Sequence, residues 1–219
     1  MSRDPEPQRI TAGLDEAGKG DYFGPLVVAA VCGRPSELAA LGVADSKKLS
    51  DRRCALLSAQ IYERFPVEVV AVGPEKYNEL YAGLNNLNRL LAWAHARALE
   101  NLLSRTHADT VLADQFADPR VLERALMERG ARVHLLQAPR SESHPAVAAA
   151  SVVARAEFVA RLAELEKRFD CELPKGAGPP VDQAGKELYR RGGVELLRHV
   201  AKLHFRTTQK IGVPVSHRA

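Results

Sequence analysis

Two adjacent carboxylates near the start of the chain are the residues best suited to do chemistry. Asp15 and Glu16 follow the short apolar segment 10–14 and come just before Gly18, Lys19 and Gly20. Because glycine has no side chain, a backbone that contains it can approach a ligand closely. The stretch therefore places an acidic pair beside a flexible turn that can contact a polar ligand.

A third acid, Asp114, ends another apolar segment, residues 109–114. If the two predicted strands are neighbours in a sheet, Asp15, Glu16 and Asp114 converge at one edge, where like charges are unfavourable without a cation. Carboxylate oxygens favour Mg²⁺ or Mn²⁺, and two such ions can clamp an in-line displacement at a phosphodiester. The alternative is that each acid caps a surface turn, and the spacing alone does not decide between the two.

The segment from Gly13 to Gly20 matches a phosphate-binding loop at every position but the last. We reject that interpretation because Gly20 stands where a hydroxyl must reach Mg²⁺. Two carboxylates inside the loop would also repel phosphate, and residues 21–25 do not open a helix. A nucleotide hydrolase of this type would instead turn over ATP or GTP in a manner that depends on Lys19.

The patterns along the chain predict that an α/β fold positions these residues. Apolar runs rich in β-branched residues predict strands, and apolar residues at helical spacing predict helices. The predicted strands are residues 10–14, 26–31, 67–72, 109–114 and 133–136; the predicted helices are 51–62, one that begins near Glu75, 86–104, 119–129, 145–169, 182–189 and 194–203. This order predicts a mixed sheet with a helical C-terminal part. We expect a flexible N-terminus at residues 1–8 and one catalytic domain over residues 9–219, with a helical subregion from about residue 181.

Composition excludes several classes of protein. Of the 219 residues 46% are apolar, which predicts a packed globule, and no apolar run is long enough for a membrane helix. The first eight residues lack a signal-peptide core, and three widely spaced cysteines form no disulfide or zinc pattern, so we expect a cytoplasmic protein. The net charge of +4 permits a polyanionic partner, although solvated helix faces are the simpler explanation.

The whole pattern resembles a known family of nucleases. Residues 15–27, Asp-Glu-Ala-Gly-Lys-Gly-Asp-Tyr-Phe-Gly-Pro-Leu-Val, are similar to the signature of type 2 ribonucleases H. The resemblance is greatest to bacterial ribonuclease HIII, since ribonuclease HII usually has Gly-Arg-Gly at residues 18–20. Further matching segments follow in the expected order at residues 45–49, 76–78, 86–88, 114–116, 146–151, 174–176 and 203–205, so the resemblance covers nearly the whole chain.

The resemblance implies a ribonuclease H-like fold, with a central mixed five-stranded sheet flanked by helices. It implies an endonuclease that hydrolyses the RNA strand of RNA/DNA hybrids with two Mg²⁺ or Mn²⁺ ions and leaves 5′-phosphate and 3′-hydroxyl ends. The implied catalytic and metal-binding residues are Asp15, Glu16, Asp114 and Glu142. Glu157 is the alternative to Glu142, but it lies in the middle of a predicted helix, where a salt bridge is the expected role.

The resemblance also assigns residues that bind the substrate. Gly18, Lys19 and Gly20 match the family's hybrid-recognising motif, in which backbone groups contact the 2′-hydroxyls that distinguish RNA from DNA. We therefore expect an RNA/DNA hybrid as the partner, with no membrane and no protein partner, and a monomeric enzyme.

A polar segment provides the second implied contact with the substrate. Ser46, Lys47 and Lys48 resemble a family segment that contacts phosphates near the cut, with an ordinary solvated loop as the alternative. Lys175 and the basic residues late in the chain are expected to add salt-sensitive contacts with the nucleic-acid backbone.

Ribonuclease HIII usually carries an N-terminal domain that resembles the TATA-box-binding protein. Few residues precede the first predicted strand here, so we expect that domain to be absent. Its absence would affect substrate affinity rather than the chemistry. Cleavage at single ribonucleotides in duplex DNA, as in ribonuclease HII, is the alternative activity, and a protein that binds hybrids without cleaving them is the alternative from another class.

Overall fold

The computed structural model describes residues 9–43, 46, 49–138 and 141–214. Within these residues the chain forms two compact units. The first comprises the described residues of Met1–Ala17, Val27–Val70 and Asn86–Glu157, and the second those of Gly18–Leu26, Ala71–Asn85 and Phe158–Ala219. This division does not test the expectation of one catalytic domain over residues 9–219, which stays a prediction.

A mixed five-stranded sheet is the main feature of the first unit. Its strands are β1 (Thr11–Ala17), β2 (Leu26–Gly33), β3 (Val67–Val72), β4 (Thr110–Asp114) and β5 (His134–Ala138). Their order in the sheet is β3-β2-β1-β4-β5. Strand β1 pairs antiparallel with β2 and parallel with β4, and β4 pairs parallel with β5. The predicted mixed sheet of five strands is confirmed.

Helices connect the strands and follow the last of them. They are α1 (Pro35–Ala39), α2 (Asp51–Arg64), α3 (Pro74–Leu84), α4 (Leu87–Leu103), α5 (Pro119–Glu123), α6 (Pro145–Phe169), α7 (Pro179–Val200) and α8 (Arg206–Lys210), with 3₁₀ turns at Gly130–Arg132 and Ser141–Ser143. The predicted helical C-terminal region is therefore confirmed. No helix in the described part of the chain is long and apolar enough to cross a membrane.

One face of the sheet packs against α4. Ala12 and Leu14 of β1 and Val111 and Ala113 of β4 are buried in one cluster with apolar residues of α4. Residues i and i+2 of a strand share a face, so Ala12 and Leu14 lie together on the side of β1 that packs against α4. Trp93 of α4 is partly buried against the same cluster.

The opposite face of β1 lies directly against the start of α6. A Cβ atom at Gly13 would come within 2.1 Å of the backbone carbonyl carbon of Ala146, which no side chain can do. Asp15 is two residues further along β1 and therefore points to the same face. The glycine lets the first turns of α6 approach the strand that carries the acidic pair.

Helix α5 is shorter than predicted. The predicted helix runs from Pro119 to residue 129, whereas α5 ends at Glu123. The carboxylate of Glu100, on α4, accepts hydrogen bonds from the backbone N–H groups of Arg129 at 2.9 Å and Gly130 at 3.1 Å. These tertiary bonds hold the backbone at the start of a 3₁₀ turn instead of a continued α-helix.

The start of α2 and the break in α7 agree with the sequence. Helix α2 starts at Asp51 as predicted, and Ser50 is its N-cap, because Ser50 Oγ accepts a hydrogen bond from the N–H of Arg53 at 3.2 Å. Helix α7 is interrupted at Gly193, whose φ of 63° and ψ of −158° are not helical. Its start at Pro179 is earlier than the predicted start at Asp182, because prolines suit the first helical positions.

Candidate active site

Asp15 and Asp114 occupy corresponding positions on neighbouring parallel strands. Leu14 of β1 pairs with Ala113 of β4, and each aspartate is the next residue along its strand. Neighbouring strands in a sheet lie about 4.8 Å apart. Because Leu14 and Ala113 point into the core on the α4 side, the alternation of side chains places both aspartates on the opposite face.

The environment of Asp15 makes its charged form unfavourable. Burial and the charge of the adjacent Glu16 raise the pKa of Asp15 to about 7. A hydrogen bond from the Ser151 hydroxyl, one from the N–H of Glu16 at 2.8 Å, and the nearby His95 act in the opposite direction. A carboxylate with such a pKa is stabilised in its charged form by a bound cation.

Ser151 links Asp15 to a second buried hydroxyl. Ser151 lies on α6, and its Oγ is 2.8 Å from the Oγ of Ser46. Both serines are at most 8% exposed. The pair holds the Ser151 hydroxyl in place, and that hydroxyl in turn fixes the orientation of the Asp15 carboxylate.

Glu16 points to the other face of β1, where it meets α4. Its Oε2 lies 3.1 Å from the Nε2 of His95, and the His95 side chain is fully buried while that of Glu16 is 11% exposed. The Phe116 ring packs beside the imidazole, with 5.0 Å between the ring centroids. His95 Nδ1 is buried and has no hydrogen-bond partner among the described residues. This packing holds one oxygen of Glu16 in a defined direction.

Asp114 is connected to the turn that contains Glu142. Its Oδ1 accepts a hydrogen bond from the N–H of Ser141 at 3.1 Å, and Ser141 Oγ donates to the carbonyl of Ala138 at 2.7 Å. Glu142 is the next residue, in the 3₁₀ turn Ser141–Ser143, and its side chain lies outside the described residues. The alternative acid, Glu157, lies within α6.

The donor set has the chemistry of a site for hard cations. Across residues 9–43, 46, 49–138 and 141–214, no group of three or more His, Cys, Asp or Glu side chains is arranged to hold a metal ion. The side chain of Glu142 is not among those compared. The described acids, Asp15, Glu16 and Asp114, supply only oxygen, and the raised pKa of Asp15 indicates a deficit of positive charge. These residues therefore fit Mg²⁺ or Mn²⁺ by donor type.

The packing of the protein explains one of the two glycines in the predicted substrate motif but not the other. Gly18 has a φ of 85°, and a Cβ atom there would lie 2.1 Å from the carbonyl oxygen of Pro25, so the turn itself requires glycine. Gly20 is exposed, and a Cβ atom there would meet nothing within 4 Å. Packing inside the protein therefore does not account for glycine at position 20. Lys19, between them, is half-buried.

The second predicted substrate segment is described only in part. Ser46 is buried, and its hydroxyl is hydrogen-bonded to Ser151. Lys47 and Lys48 lie outside the described residues. The assignment of all three to phosphate contacts stays a prediction.

Two supporting residues, His95 and Ser151, were not identified from the sequence as parts of the site. A signal for His95 was present, because it lies on the apolar stripe of α4 between Leu91 and Leu99. A polar side chain in such a stripe is usually there for a specific partner. Ser151 ends one of the segments, residues 146–151, that carry the family resemblance, but its residue type and spacing indicated no role in the site.

Comparison with protein families decides which family the fold belongs to. The family model described as ribonuclease HII matches residues 12–208 of this chain. The chain belongs to the ribonuclease HII family. It is therefore a ribonuclease H, an enzyme that hydrolyses phosphodiester bonds, and the ribonuclease H-like fold is confirmed. The phosphate-loop alternative is not favoured, because residues 18–25 form no helix.

Curated relatives within this family are named ribonuclease HIII. The protein from Protochlamydia amoebophila is 45% identical over 202 residues, which are 91% of this chain and 67% of that protein. The protein from Chlamydia pneumoniae is 43% identical over 209 residues, 93% of this chain and 70% of that protein. The resemblance to the HIII subclass is thus confirmed.

Solved structures of ribonucleases HIII and HII share the fold. Bst-RNase HIII in complex with Mn²⁺ matches with a TM-score of 0.86 at 34% identity, over 96% of this chain and 71% of that one. The ribonuclease HII of Archaeoglobus fulgidus, solved in complex with PCNA, matches with a TM-score of 0.72 at 32% identity, over 84% of this chain and 90% of that one.

Proposed function

We propose that this chain is an endoribonuclease that hydrolyses the RNA strand of RNA/DNA hybrids and leaves 5′-phosphate and 3′-hydroxyl ends. The observation that carries the proposal is the placement of Asp15 and Asp114 on one face, at the ends of adjacent parallel strands. Glu16 follows Asp15 on β1, and its side chain is directed toward α4, where His95 contacts one of its oxygens. Similarity to ribonucleases HIII over nine-tenths of the chain supports the same activity.

The four acids Asp15, Glu16, Asp114 and Glu142 are proposed to bind two Mg²⁺ or Mn²⁺ ions together with the substrate. The Mn²⁺ complex of Bst-RNase HIII supports a divalent ion in this family. When bound, such ions activate water and stabilise the leaving oxygen of the phosphodiester. An all-oxygen donor set supports this choice of ion over Zn²⁺, which prefers nitrogen and sulfur ligands.

The surrounding residues orient the acids without neutralising them. The Ser151 hydroxyl binds Asp15, the Ser141 N–H binds Asp114, and His95 lies against Glu16. Each contact fixes the direction of the carboxylate that it touches. Preorganised carboxylates avoid the cost of reorienting them when the substrate binds.

Recognition of the RNA strand is assigned to Gly18, Lys19 and Gly20. Gly20 supports this assignment, because a Cβ atom there would meet nothing in the protein and glycine is not explained by packing. A close approach by a sugar-phosphate backbone explains it, and the 2′-hydroxyl is the group that separates RNA from DNA. Ser46, Lys47 and Lys48 are proposed to contact phosphates near the cut.

A cleavage assay on defined duplexes tests the proposal. End-labelled RNA/DNA hybrid, double-stranded RNA, double-stranded DNA and DNA that carries one ribonucleotide are each incubated with the protein, with EDTA, Mg²⁺ or Mn²⁺. We expect cleavage within the RNA strand of the hybrid only when a divalent ion is present, and products that a ligase can rejoin to a 3′-hydroxyl. Hybrid binding without cleavage in either ion would contradict the proposal.

The same assay distinguishes the subclass. Preferential cutting at the single ribonucleotide in DNA would assign the chain an activity like that of ribonuclease HII instead. The absence of a protein partner, the monomeric state and a cytoplasmic location stay predictions.

A further inference from the structure

Lys202 is a buried charged residue in the second unit. Its side chain is 0% exposed, in the segment that links α7 to α8. Nζ donates hydrogen bonds to the carbonyl oxygens of Phe23 at 3.3 Å and Gly24 at 2.7 Å, and it lies 5.7 Å from the centre of the Tyr77 ring. Burial of an ammonium is costly unless its donors are satisfied. The two carbonyls are thus the reason that a lysine is tolerated there.

The carbonyls that Lys202 binds lie where the chain bends, at Gly24 and at Phe23, which pairs with Ala201 in an isolated antiparallel β-bridge. Successive carbonyls of an extended chain point in opposite directions, so two of them seldom meet one donor. Gly24 has a φ of 80°, and a Cβ atom there would lie 2.9 Å from a methyl carbon of Leu162. The glycine turns the backbone, and the ammonium holds the turned conformation.

Residues 21–24 also form hydrogen bonds with Gly176 and with the backbone of Lys202. The N–H of Gly176 donates to Asp21 Oδ1 at 2.6 Å, and the N–H of Tyr22 donates to the carbonyl of Gly176 at 2.8 Å. The N–H of Lys202 donates to the carbonyl of Tyr22 at 2.8 Å. Residues 21–24 are therefore fixed between residue 176 and residue 202.

Fixing residues 21–24 also fixes the turn that precedes them. The N–H of Asp21 donates to the carbonyl of Gly18 at 3.3 Å, which closes a turn over Lys19 and Gly20. Gly18 itself is buried, with a φ of 85°. The exposed backbone at Gly20 thus has its direction set by a segment that Lys202 holds.

We propose that Lys202 is a positioning residue for substrate recognition: its buried ammonium sets the conformation of residues 21–24 and so the direction in which the turn at Gly18, Lys19 and Gly20 presents its backbone to the RNA strand. This inference rests on the proposed function, since it takes the turn to bind the hybrid. The hydroxyl of Tyr22, which accepts a hydrogen bond from Thr208 Oγ at 3.2 Å, anchors the same segment independently of the ammonium.

The test replaces Lys202 by methionine, which has similar length and no donor. We expect Lys202→Met to raise KM for the hybrid by about tenfold, the effect of losing one or two hydrogen bonds from a charged donor, while kcat changes by less than about twofold. Binding is measured in the Asp15→Asn background on hybrid and on DNA duplex of the same sequence. The preference for hybrid over DNA should fall by a similar factor, because the turn loses its fixed direction.

Leu188→Ala is the matched control for general destabilisation. Leu188 is buried on α7 in the same unit and lines a cavity with Asp170 and Arg191. We expect a lower melting temperature with KM and the preference for hybrid unchanged. An equal rise of KM in the control, or an unchanged KM in Lys202→Met, would overturn the inference.

Lys202→Gln replaces Lys202→Met in the test if the methionine variant does not fold, since the amide keeps one donor group. We expect a rise of KM in this variant, smaller than tenfold, and a KM equal to that of the wild type would overturn the inference. Failure of the wild type itself to cleave hybrid is a different result, because it removes the proposed function and this inference with it.

Discussion

Asp114 accepts a hydrogen bond from the backbone N–H of Ser141 at 3.1 Å. The bond ties the end of β4 to the 3₁₀ turn whose second residue is Glu142. The backbone at position 142 is thereby held near Asp114, although 28 positions separate the two residues in sequence.

Asp114→Asn should lower kcat on RNA/DNA hybrid by about 100-fold or more, because an amide is a poor ligand for a hard cation that supplies several kcal/mol of transition-state stabilisation. The melting temperature should change little, since Asn can still accept the bond from Ser141. Single-turnover cleavage and thermal unfolding measure the two effects. Asp118→Asn is the control, because Asp118 is an exposed N-cap of α5. Full activity in Asp114→Asn would remove this residue from the site.

Glu142→Gln and Glu157→Gln compare the two candidates for the fourth acid. We expect the first to lose about 100-fold in kcat and the second to stay within about threefold of the wild type. The physical reason is the link from Glu142 through Ser141 to Asp114, whereas Glu157 lies well inside α6. The reverse ranking of the two variants would reassign the fourth acid to Glu157.

His95→Ala should lower kcat by about tenfold at unchanged KM, because loss of a group that orients a metal ligand typically costs 10- to 100-fold in activity or metal affinity. Rescue is expected from His95→Gln, whose amide nitrogen can replace Nε2. The exposed His107, paired with Asp109 at 3.2 Å, provides the control variant His107→Ala. Equal activity in His95→Ala and the wild type would mean that Glu16 needs no support from α4.

Ser151→Ala should change the pH dependence of metal binding. With a pKa of about 7, Asp15 binds a proton below that pH, and a cation must displace it. Affinity for Mn²⁺ should therefore rise by about tenfold per pH unit below pH 7 and level off above it. The Ser151 hydroxyl lowers the pKa of Asp15, so its removal should raise that pKa and move the levelling point to higher pH.

Calorimetric titration with Mn²⁺ at several pH values measures this effect. Ser58→Ala, at a buried serine of α2, is the control and should leave the profile unchanged. A profile for Ser151→Ala that coincides with the wild type would show that the hydroxyl does not control the charge of Asp15.

The sequence was sufficient for the elements that carry the acids but not for their neighbours. The apolar segments that precede Asp15 and Asp114 were predicted as strands, and in the structure each of these acids lies at or near the end of its strand. That β1 and β4 are adjacent depends on how the connections between them cross the sheet, which local patterns do not specify. The resemblance to a family supplied what the local pattern lacked.

Two other features depended on contacts that are distant in sequence. Helix α5 ends at Glu123, and the N–H groups of Arg129 and Gly130, which the predicted helix would bond within itself, are bonded to Glu100 instead. Lys202 is one of the basic residues late in the chain, for which solvated helix faces were the simpler explanation. Its ammonium is instead buried and donates hydrogen bonds to two carbonyl oxygens. In both cases the partner is distant in the sequence, so the periodicity of the local sequence does not predict the contact.

The close contact at Gly13 limits which residues can stand at position 13 without disturbing the site. Because the backbone of Ala146 occupies the space where a Cβ atom would be, even alanine at position 13 would wedge the helix away from the strand. The hydroxyl of Ser151 is carried by that helix and the carboxylate of Asp15 by that strand, so a displacement of one relative to the other would lengthen their hydrogen bond. A single methyl group at position 13, two residues from Asp15, would thus change the pKa of Asp15 without contacting any of the acids.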